Sequence, residues 1–280
     1  MRRHGDVGAR PPGPTGGRHR RGERLSARHR SLRYLRNLQR LRCEQQDPGG
    51  GGTLNFYWLL HIPDGFLSAE VAVVFFIITG VCLAACISVA NRTLDERAVP
   101  LMGVMAAFIF AGQMINFPVS GGTSGHLLGG ALAAILLGPW AAAIVLAAVV
   151  GLQAIVFQDG GLAVMGANIF NMGILTAFLG YAVYRAAGFF TAAGSGARLV
   201  SAFAAAWLTV QAAALFTTFQ LVLSDTSPLD VALPAMMGVH ALIGIGEGLI
   251  TAAALAFILS TRPDLVTGEG RQRAMAGSEV

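Results

Sequence analysis

The sequence predicts an all-α integral membrane protein, built as a bundle of about seven transmembrane helices. Of its 280 residues, 54% are apolar and only 12% are charged, whereas a typical soluble domain carries about a quarter charged residues. From Leu67 onward, apolar runs recur at lengths near the roughly 20 residues that span the hydrocarbon core of a bilayer. Composition and segment length therefore favour a membrane protein before any motif is considered.

The apolar runs give the predicted helices in order. We expect them near residues 68–90, 98–117, 124–138, 139–157, 164–187, 198–223 and 235–260. The third and fourth are short and are joined tightly at Gly138-Pro139. No internal repeat is visible, so each helix is predicted from its own composition.

The positions of arginine predict how the bundle is oriented, because cytoplasmic loops retain positive charge. The connections near 119–123, 158–161 and 224–230 contain no Arg and hold Asp159, Asp225 and Asp230. We therefore expect the N-terminus outside and the C-terminus in the cytoplasm, in a multi-pass protein of the inner (plasma) membrane surrounded by lipid. The loops that we assign to the cytoplasm carry Arg92, Arg97, Arg185, Arg198 and Arg262.

The N-terminal segment differs from the rest of the chain. Of 20 Arg, 13 lie in the first 42 residues, and the segment has few apolar residues before Leu54. Such a composition predicts a disordered basic extension over 1–59, followed by a transmembrane domain over 60–262 and a cytoplasmic tail over 263–280. A nucleic-acid-binding arm is the functional alternative, but it does not suit a membrane protein, and we expect no nucleic-acid partner. The segment lacks the apolar core of a secretory signal.

The chain contains no lysine, which excludes several chemistries. A Walker A phosphate loop and a Schiff-base enzyme both need one. We therefore expect that this chain does not bind ATP through such a loop. Cys82 and Cys86 lie one turn apart in an apolar run, where a soft metal site or a disulfide is conceivable but small buried packing residues are favoured.

Two histidines indicate a metal site. His61 precedes the first predicted helix, and His126 lies at the start of the third, both on the predicted outer side. Imidazole nitrogen suits nickel, cobalt, copper or zinc better than magnesium or calcium. The pair therefore suggests a transition-metal port. The alternative is that each ring only hydrogen-bonds a backbone carbonyl.

His240 and Glu247 are a second polar pair, seven residues apart on one face of the last predicted helix. Ionisable groups inside a span usually face the protein interior or a cavity. The pair indicates either a proton path or a structural role, as part of a hydrogen-bond network around the site or as a neutral packed pair, and we favour the structural role. Other buried polar residues that need partners within the bundle are Gln113, Asn116, Asn168 and Asn171.

Six stretches, taken together, closely resemble the membrane substrate-capture subunit of cobalt and nickel energy-coupling-factor transporters, the family called CbiM or NikM. They cover residues 61 to about 260 in order. The stretches are His61-Ile-Pro-Asp-Gly-Phe-Leu-Ser68, Gly122-Thr-Ser-Gly-His-Leu-Leu-Gly-Gly130, Leu137-Gly-Pro-Trp140, Gln158-Asp-Gly-Gly161, Gly166-Ala-Asn-Ile-Phe-Asn-Met-Gly173 and His240-Ala-Leu-Ile-Gly-Ile-Gly-Glu247.

The resemblance implies a divalent ion held by nitrogen ligands. On this sequence the matching residues are Leu60 for a terminal amine, His61 for a backbone and a ring nitrogen, and His126 for the fourth nitrogen. Amine, amide and imidazole nitrogens then close two fused chelate rings in a plane. A planar nitrogen set suits nickel or low-spin cobalt and disfavours tetrahedral zinc. Apart from the resemblance, Asn116, His240 and Glu247 are candidates to hold the ligands in position through hydrogen bonds.

The resemblance also implies that metal capture and ATP hydrolysis belong to different subunits. The chain would capture Co²⁺ or Ni²⁺ at the outer face, the cobalt serving cobalamin biosynthesis, and would be a transporter subunit rather than an enzyme. Uptake would depend on a transmembrane coupling subunit, on cytoplasmic ATPase subunits, and often on a small accessory membrane protein. The missing lysine fits this arrangement.

One departure from the family pattern falls on the site. The family begins Met-His-Ile-Pro-Asp-Gly, whereas Leu60 stands here behind 59 further residues. We expect the working protein to start at residue 60, with residues 1–59 either not translated or removed. A Leu codon such as TTG or CTG can initiate translation as Met, which would restore the free amine.

Two rival interpretations remain. One is a vitamin-binding subunit of the same transporter class, which would need aromatic and polar groups around a roomy cavity. The other is an intramembrane metalloenzyme that uses His61, His126 and Glu247, although the chain has no His-Glu-x-x-His pair. The metal content of the purified protein separates the three.

Overall fold

The computed structural model describes residues 61–94, 98–114, 117–119, 123–190 and 194–266, and these residues are almost entirely helical. This confirms the predicted all-α class. The helices are α1 (Ala69–Thr93), α2 (Ala98–Met114), α3 (Gly130–Leu137), α4 (Pro139–Leu152), α5 (Met165–Ile169), α6 (Thr176–Phe190), α7 (Ser195–Leu223) and α8 (Leu229–Thr261).

Two π-helical segments extend these helices. Gln153–Phe157 continues α4, and Phe170–Leu175 joins α5 to α6, so that the described residues form seven helical rods. Single π-helical turns are uncommon and often mark functional sites. Here the first segment ends at the loop over 158–164, and the second follows the short helix α5 after that loop.

Five of the described helical segments are long and apolar enough to cross a membrane. Their outward faces carry large apolar side chains such as Ile77, Val81, Leu242 and Leu249, which water would not solvate favourably. These faces are suited to lipid. The five segments are Ala69–Thr93, Pro139–Phe157, Met165–Gly188, Ser195–Leu223 and Leu229–Thr261.

The third helix is shorter than predicted. It begins at Gly130 instead of residue 124, because the chain over Thr123–Gly125 pairs as a short antiparallel strand (β2) with Phe117–Val119 (β1). With 8 residues, α3 extends about 12 Å, less than half of the roughly 30 Å hydrocarbon core. The polypeptide between β2 and α3 is therefore non-helical within the bundle.

The junction between α3 and α4 lies where the sequence predicted it. Gly138 has φ of 81°, a left-handed value that a residue with a Cβ rarely adopts, and Pro139 occupies the first turn of α4. The glycine ends one helix and the proline begins the next. The predicted boundary is confirmed.

The bundle interior is built mainly from small and branched apolar side chains. Cys86 is buried in this core and Cys82 packs against it, and neither forms a disulfide. The prediction that this pair serves packing is confirmed. Buried residues that illustrate the core are Ile109, Leu132, Leu146, Val150, Val210 and Leu255.

The buried amide side chains have the partners that a low-dielectric interior requires. Asn171 and Gln220 exchange two hydrogen bonds, with Asn171 Nδ2 2.7 Å from Gln220 Oε1 and Gln220 Nε2 2.9 Å from Asn171 Oδ1. This pair ties the segment after α5 to α7. On the same helix as Gln220, Trp207 Nε1 donates to Ala241 O at 3.1 Å and ties α7 to α8.

Candidate metal site

The segment before α1 is fixed to the bundle through the peptide groups of Ile62. Its N–H donates to Asn168 Oδ1 at 3.0 Å, and its carbonyl accepts from Asn168 Nδ2 at 3.0 Å and from the backbone N–H of Gly161 at 3.0 Å. Asn168 is buried on α5. The backbone beside His61 is therefore held from two directions.

A second anchor lies two residues further along. The carboxylate of Asp64 accepts from the backbone N–H groups of Leu162 and Ala163, at 3.2 and 2.9 Å. Thr226, from the connection between α7 and α8, donates its hydroxyl to the carbonyl of Phe66. The start of the first helix and the connections near 158–161 and 224–230, which the sequence assigned to one side of the membrane, thus lie at one end of the bundle.

Glycine at position 160 allows the loop to approach His61. Gly160 has φ of 92°, and a Cβ built on it would lie 2.7 Å from His61 Cβ and 3.1 Å from Asn168 Nδ2. Such a distance is a steric clash, and the backbone conformation itself disfavours other residues. The loop over 158–161 therefore packs directly against the first histidine.

His61 and His126 come together as the sequence predicted. Their ring centroids are 5.5 Å apart with planes at 38°, and both residues are buried, at 5% and 8% exposure. Imidazole nitrogen binds a divalent transition metal at about 2.0–2.1 Å. Two rings at this separation can therefore share one ion.

The hydrogen bond of His126 fixes its tautomer. Nδ1 lies 2.9 Å from the carbonyl oxygen of Leu127, and because a carbonyl can only accept, Nδ1 must be the donor. In the neutral ring Nε2 then carries the lone pair, which is the arrangement that a metal-binding imidazole needs.

His61 lacks such a partner. In the part of the chain that the structure describes, neither of its ring nitrogens makes a hydrogen bond. Nδ1 lies 3.1 Å from Asp159 Oδ1, but this contact does not have hydrogen-bond geometry, and Asp159 Oδ1 is also without a hydrogen-bond donor. Buried polar atoms of native proteins are normally paired, so these atoms indicate a site for a ligand.

The non-helical stretch from His126 to Gly129 is held by side chains from two other helices. Glu247, on α8, accepts from the N–H groups of Leu128 and Gly129, both at 2.8 Å. Gln113, on α2, donates from Nε2 to Leu128 O at 3.0 Å. Irregular backbone inside a membrane must be satisfied by protein groups. The buried Glu247 and Gln113 supply this and set the position of the chain beside His126.

His240 has a local partner instead. Its Nδ1 lies 2.8 Å from Met236 O, one turn earlier on α8, while both oxygens of Glu247 are engaged by Leu128 and Gly129. His240 therefore bonds within its own helix, whereas Glu247 bonds to the stretch before α3. Glu247 holds the stretch beside His126, while the roles at the metal site predicted for Glu247 and His240 stay predictions.

Leu60 and Asn116, also predicted at the site, lie outside the described residues. Among the described residues, no three His, Cys, Asp or Glu side chains gather into a metal cluster. A set that takes two of its four nitrogens from the main chain, as implied for this sequence, does not need one. The ligand set itself stays a prediction.

Sequence reasoning did not place Asp159 or Gly160 at the site, and it predicted only that Gln113 needs a partner within the bundle. Asp159 and Gly160 belong to the Gln158-Asp-Gly-Gly161 stretch, which carried part of the resemblance. An acid followed by glycines in a connection was the available signal. This pattern could not predict the contact with His61, because that contact depends on packing between segments distant in the sequence.

The chain matches known proteins over the region that contains the site. Residues 61–265 match the family model CbiM, described as the cobalt uptake substrate-specific transmembrane region. A protein of Archaeoglobus fulgidus, named as a candidate fused nickel transport protein NikMN, is 43% identical over 209 residues, which cover 74% of this chain and 68% of the relative. A protein of Methanococcus voltae, named as a candidate cobalt transport protein CbiM, is 33% identical over 214 residues, covering 74% of this chain and 94% of the relative.

A solved structure has the same fold. The crystal structure of a truncated transition metal transporter superposes with a TM-score of 0.66 at 34% sequence identity, covering 72% of this chain and 99% of that one.

Proposed function

The chain belongs to the CbiM family, whose model covers residues 61–265, and from this premise we propose that it captures Co²⁺ or Ni²⁺ at the outer face of the membrane for an ATP-driven uptake transporter. Its relatives are metal transport proteins, so it is a membrane transporter of the cobalt and nickel type and not an enzyme. The observation that carries the proposal is the buried pair His61 and His126, with ring centroids 5.5 Å apart at one end of the bundle.

The proposed ligands are four nitrogens. They are the amine of Leu60, the backbone and ring nitrogens of His61, and a ring nitrogen of His126. The tautomer of His126 supports this set, because Nδ1 donates to Leu127 O and leaves the lone pair on Nε2. Rings this close favour a single ion over a vitamin-sized substrate.

Coupling to ATP belongs, in this proposal, to other proteins. These are a transmembrane coupling subunit, cytoplasmic ATPase subunits and a small accessory membrane subunit. The support from this chain is the absence of lysine, since a Walker A loop requires one.

Metal binding by protein purified from its own host through a C-terminal tag tests the proposal. We expect His126→Ala to lower the affinity for both ions by about 100-fold or more, because losing even an outer partner of a metal ligand commonly costs 10–100-fold. The control replaces Cys82 and Cys86 with Ala, which removes two free thiols that pack in the core and should leave affinity close to that of the unsubstituted protein. Unchanged binding by a folded His126→Ala protein would remove this residue from the site.

A further inference from the structure

We propose that Asp159 is a further ligand of the captured ion and adds one carboxylate oxygen to the nitrogen set. The inference rests on the proposed function. Its starting point is the contact between Asp159 Oδ1 and His61 Nδ1 at 3.1 Å, with side-chain exposures of 12% and 0%. Both atoms lie in the interior, and within the described residues neither makes a hydrogen bond.

The separation of the two atoms fits two ligands of one ion. Nitrogen and carboxylate oxygen bind divalent transition metals at about 2.0–2.2 Å, and two atoms 3.1 Å apart at such bond lengths subtend an angle of about 90–100° at the metal. That is the angle between neighbouring ligands in square-planar, pyramidal or octahedral sites. The misalignment of the pair as a hydrogen bond agrees with two atoms that face a common point instead of each other.

The backbone of Asp159 is fixed independently of His61. Its N–H donates to Gln153 O at 3.1 Å, closing the π-helical segment after α4. On either side, Gln158 has φ of 54° and Gly160 has φ of 92°, so the turn is tight and its direction is set. A carboxylate presented by such a turn is already in place when the ion arrives, which is what a preorganised site requires.

The neighbouring acids do not share this arrangement. Both oxygens of Asp64 are taken by the backbone N–H groups of Leu162 and Ala163, so its role is to hold the loop. Asp225 is exposed in the connection between α7 and α8. Of these three acids, Asp159 is the one whose buried Oδ1 lies beside an imidazole nitrogen and makes no hydrogen bond within the described residues.

The position of this oxygen relative to the nitrogen plane follows from the proposed ligand set. Only Nδ1 of His61 can chelate together with the backbone nitrogen of the same residue. Within the plane, its two neighbours are then that backbone nitrogen and the nitrogen of His126. An oxygen at about 90–100° from Nδ1 must therefore lie above or below the plane. Square-planar d⁸ nickel gains little from such a ligand, whereas d⁷ cobalt accepts it, so Asp159 is expected to favour cobalt.

The test compares Co²⁺ and Ni²⁺ binding by protein purified from its own host through a C-terminal tag. Asp159→Asn keeps the size of the side chain, Asp159→Ala removes it, and Asp225→Asn is the matched control that removes one negative charge from a residue without a contact to His61. We expect both Asp159 variants to lose at least about tenfold in Co²⁺ affinity and less in Ni²⁺ affinity. In Asp159→Ala, the X-ray absorption spectrum of the bound cobalt should show one oxygen neighbour fewer than in the unsubstituted protein.

Two results would overturn the inference. One is Co²⁺ binding by both variants at the affinity of the unsubstituted protein. The other is weaker binding with an unchanged set of atoms around cobalt, which would show that Asp159 acts only through His61 or the loop. Failure of the proposed function looks different, because the unsubstituted protein would then bind neither ion, or His126→Ala would bind both as tightly as before.

Discussion

His61 is positioned mainly by the peptide group of the residue that follows it. Ile62 exchanges two hydrogen bonds with Asn168, both at 3.0 Å, and its carbonyl also accepts from Gly161. These bonds fix the main chain and leave the ring nitrogens of His61 without hydrogen-bond partners among the described residues. At this scale His61 is a buried histidine held by its backbone, and we propose that its side chain binds the ion.

Gly160→Ala should weaken metal binding without touching a ligand. The added Cβ would lie 2.7 Å from His61 Cβ in a backbone conformation with φ of 92°, and residues forced into such regions cost about 1–3 kcal/mol. We expect the loop or His61 to shift, with a fall of about tenfold or more in affinity and a lower melting temperature.

The matched control for this substitution is Gly151→Ala. Gly151 lies within α4, and a Cβ there meets no atom within 4 Å. Alanine in a helix interior is favoured over glycine by about 0.5–1 kcal/mol, so this variant should bind metal normally and be no less stable. Equal metal binding by the two variants, measured by calorimetry, would show that Gly160 does not set the position of His61.

Helix α3 is the element on which His126 depends. It has 8 residues, too few to be stable alone, and the chain before it is non-helical. The first backbone N–H groups of a helix have no partner within the helix. Glu247 accepts from two N–H groups at this end of α3, and a carboxylate is well suited to the positive end of the helix dipole. A residue on the last helix therefore stabilises the start of the third.

Glu247→Gln should loosen this end of α3. Glutamine offers one acceptor oxygen where the carboxylate offers two, so either Leu128 or Gly129 loses its acceptor inside the bundle, at a cost of about 1–3 kcal/mol. We expect a lower melting temperature and an affinity for Ni²⁺ or Co²⁺ that falls by about tenfold, because His126 is attached to the displaced stretch.

Glu70→Gln provides the comparison for a lost carboxylate. Glu70 is exposed in the first turn of α1, so its replacement should change stability by no more than about 0.5 kcal/mol. Metal affinity and melting temperature are measured on both proteins. If Glu247→Gln behaves like Glu70→Gln in both measurements, the hydrogen bonds of Glu247 do not position His126.

The whole bundle brings three separate connections to one end, and metal capture is proposed there. Nothing in the chain supplies a Walker A lysine, so we expect the pure polypeptide in proteoliposomes to bind metal and to release no phosphate from ATP. Active uptake should require added coupling and ATPase subunits. Phosphate release by the pure chain, abolished by substitutions in the chain itself, would contradict the assignment as a capture subunit, whereas slow metal leakage would not.

The start of the working protein is a second prediction at this scale. We propose that the chain begins at residue 60, because an outer N-terminus would otherwise require export of 13 Arg from the first 42 residues, against the tendency of membranes to keep positive charge in the cytoplasm. The family match begins at residue 61. Intact-mass measurement of C-terminally tagged protein from its host checks it, and a metal-binding species that retains Met1 would contradict it.

The sequence by itself determined the class of the fold, the positions of most helices, the break at Gly138-Pro139 and the pairing of His61 with His126. Each of these follows from local composition, from spacing, or from the rule that places alternate connections on the same side of a membrane. The motifs before the first helix and around His126 likewise indicated the family and, through the family, cobalt or nickel as the metal.

Only the tertiary structure decided the short third helix, the contact between Asp159 and His61, and the role of Glu247. The apolar run from 124 onward is compatible with a longer helix, but pairing of Thr123–Gly125 with Phe117–Val119 ends it early. The hydrogen bond from Leu128 to Glu247 joins residues 119 positions apart. Hydropathy and periodicity predict which segments are helical and which faces are buried. They do not predict which segments pack against each other, and these contacts depend on that packing.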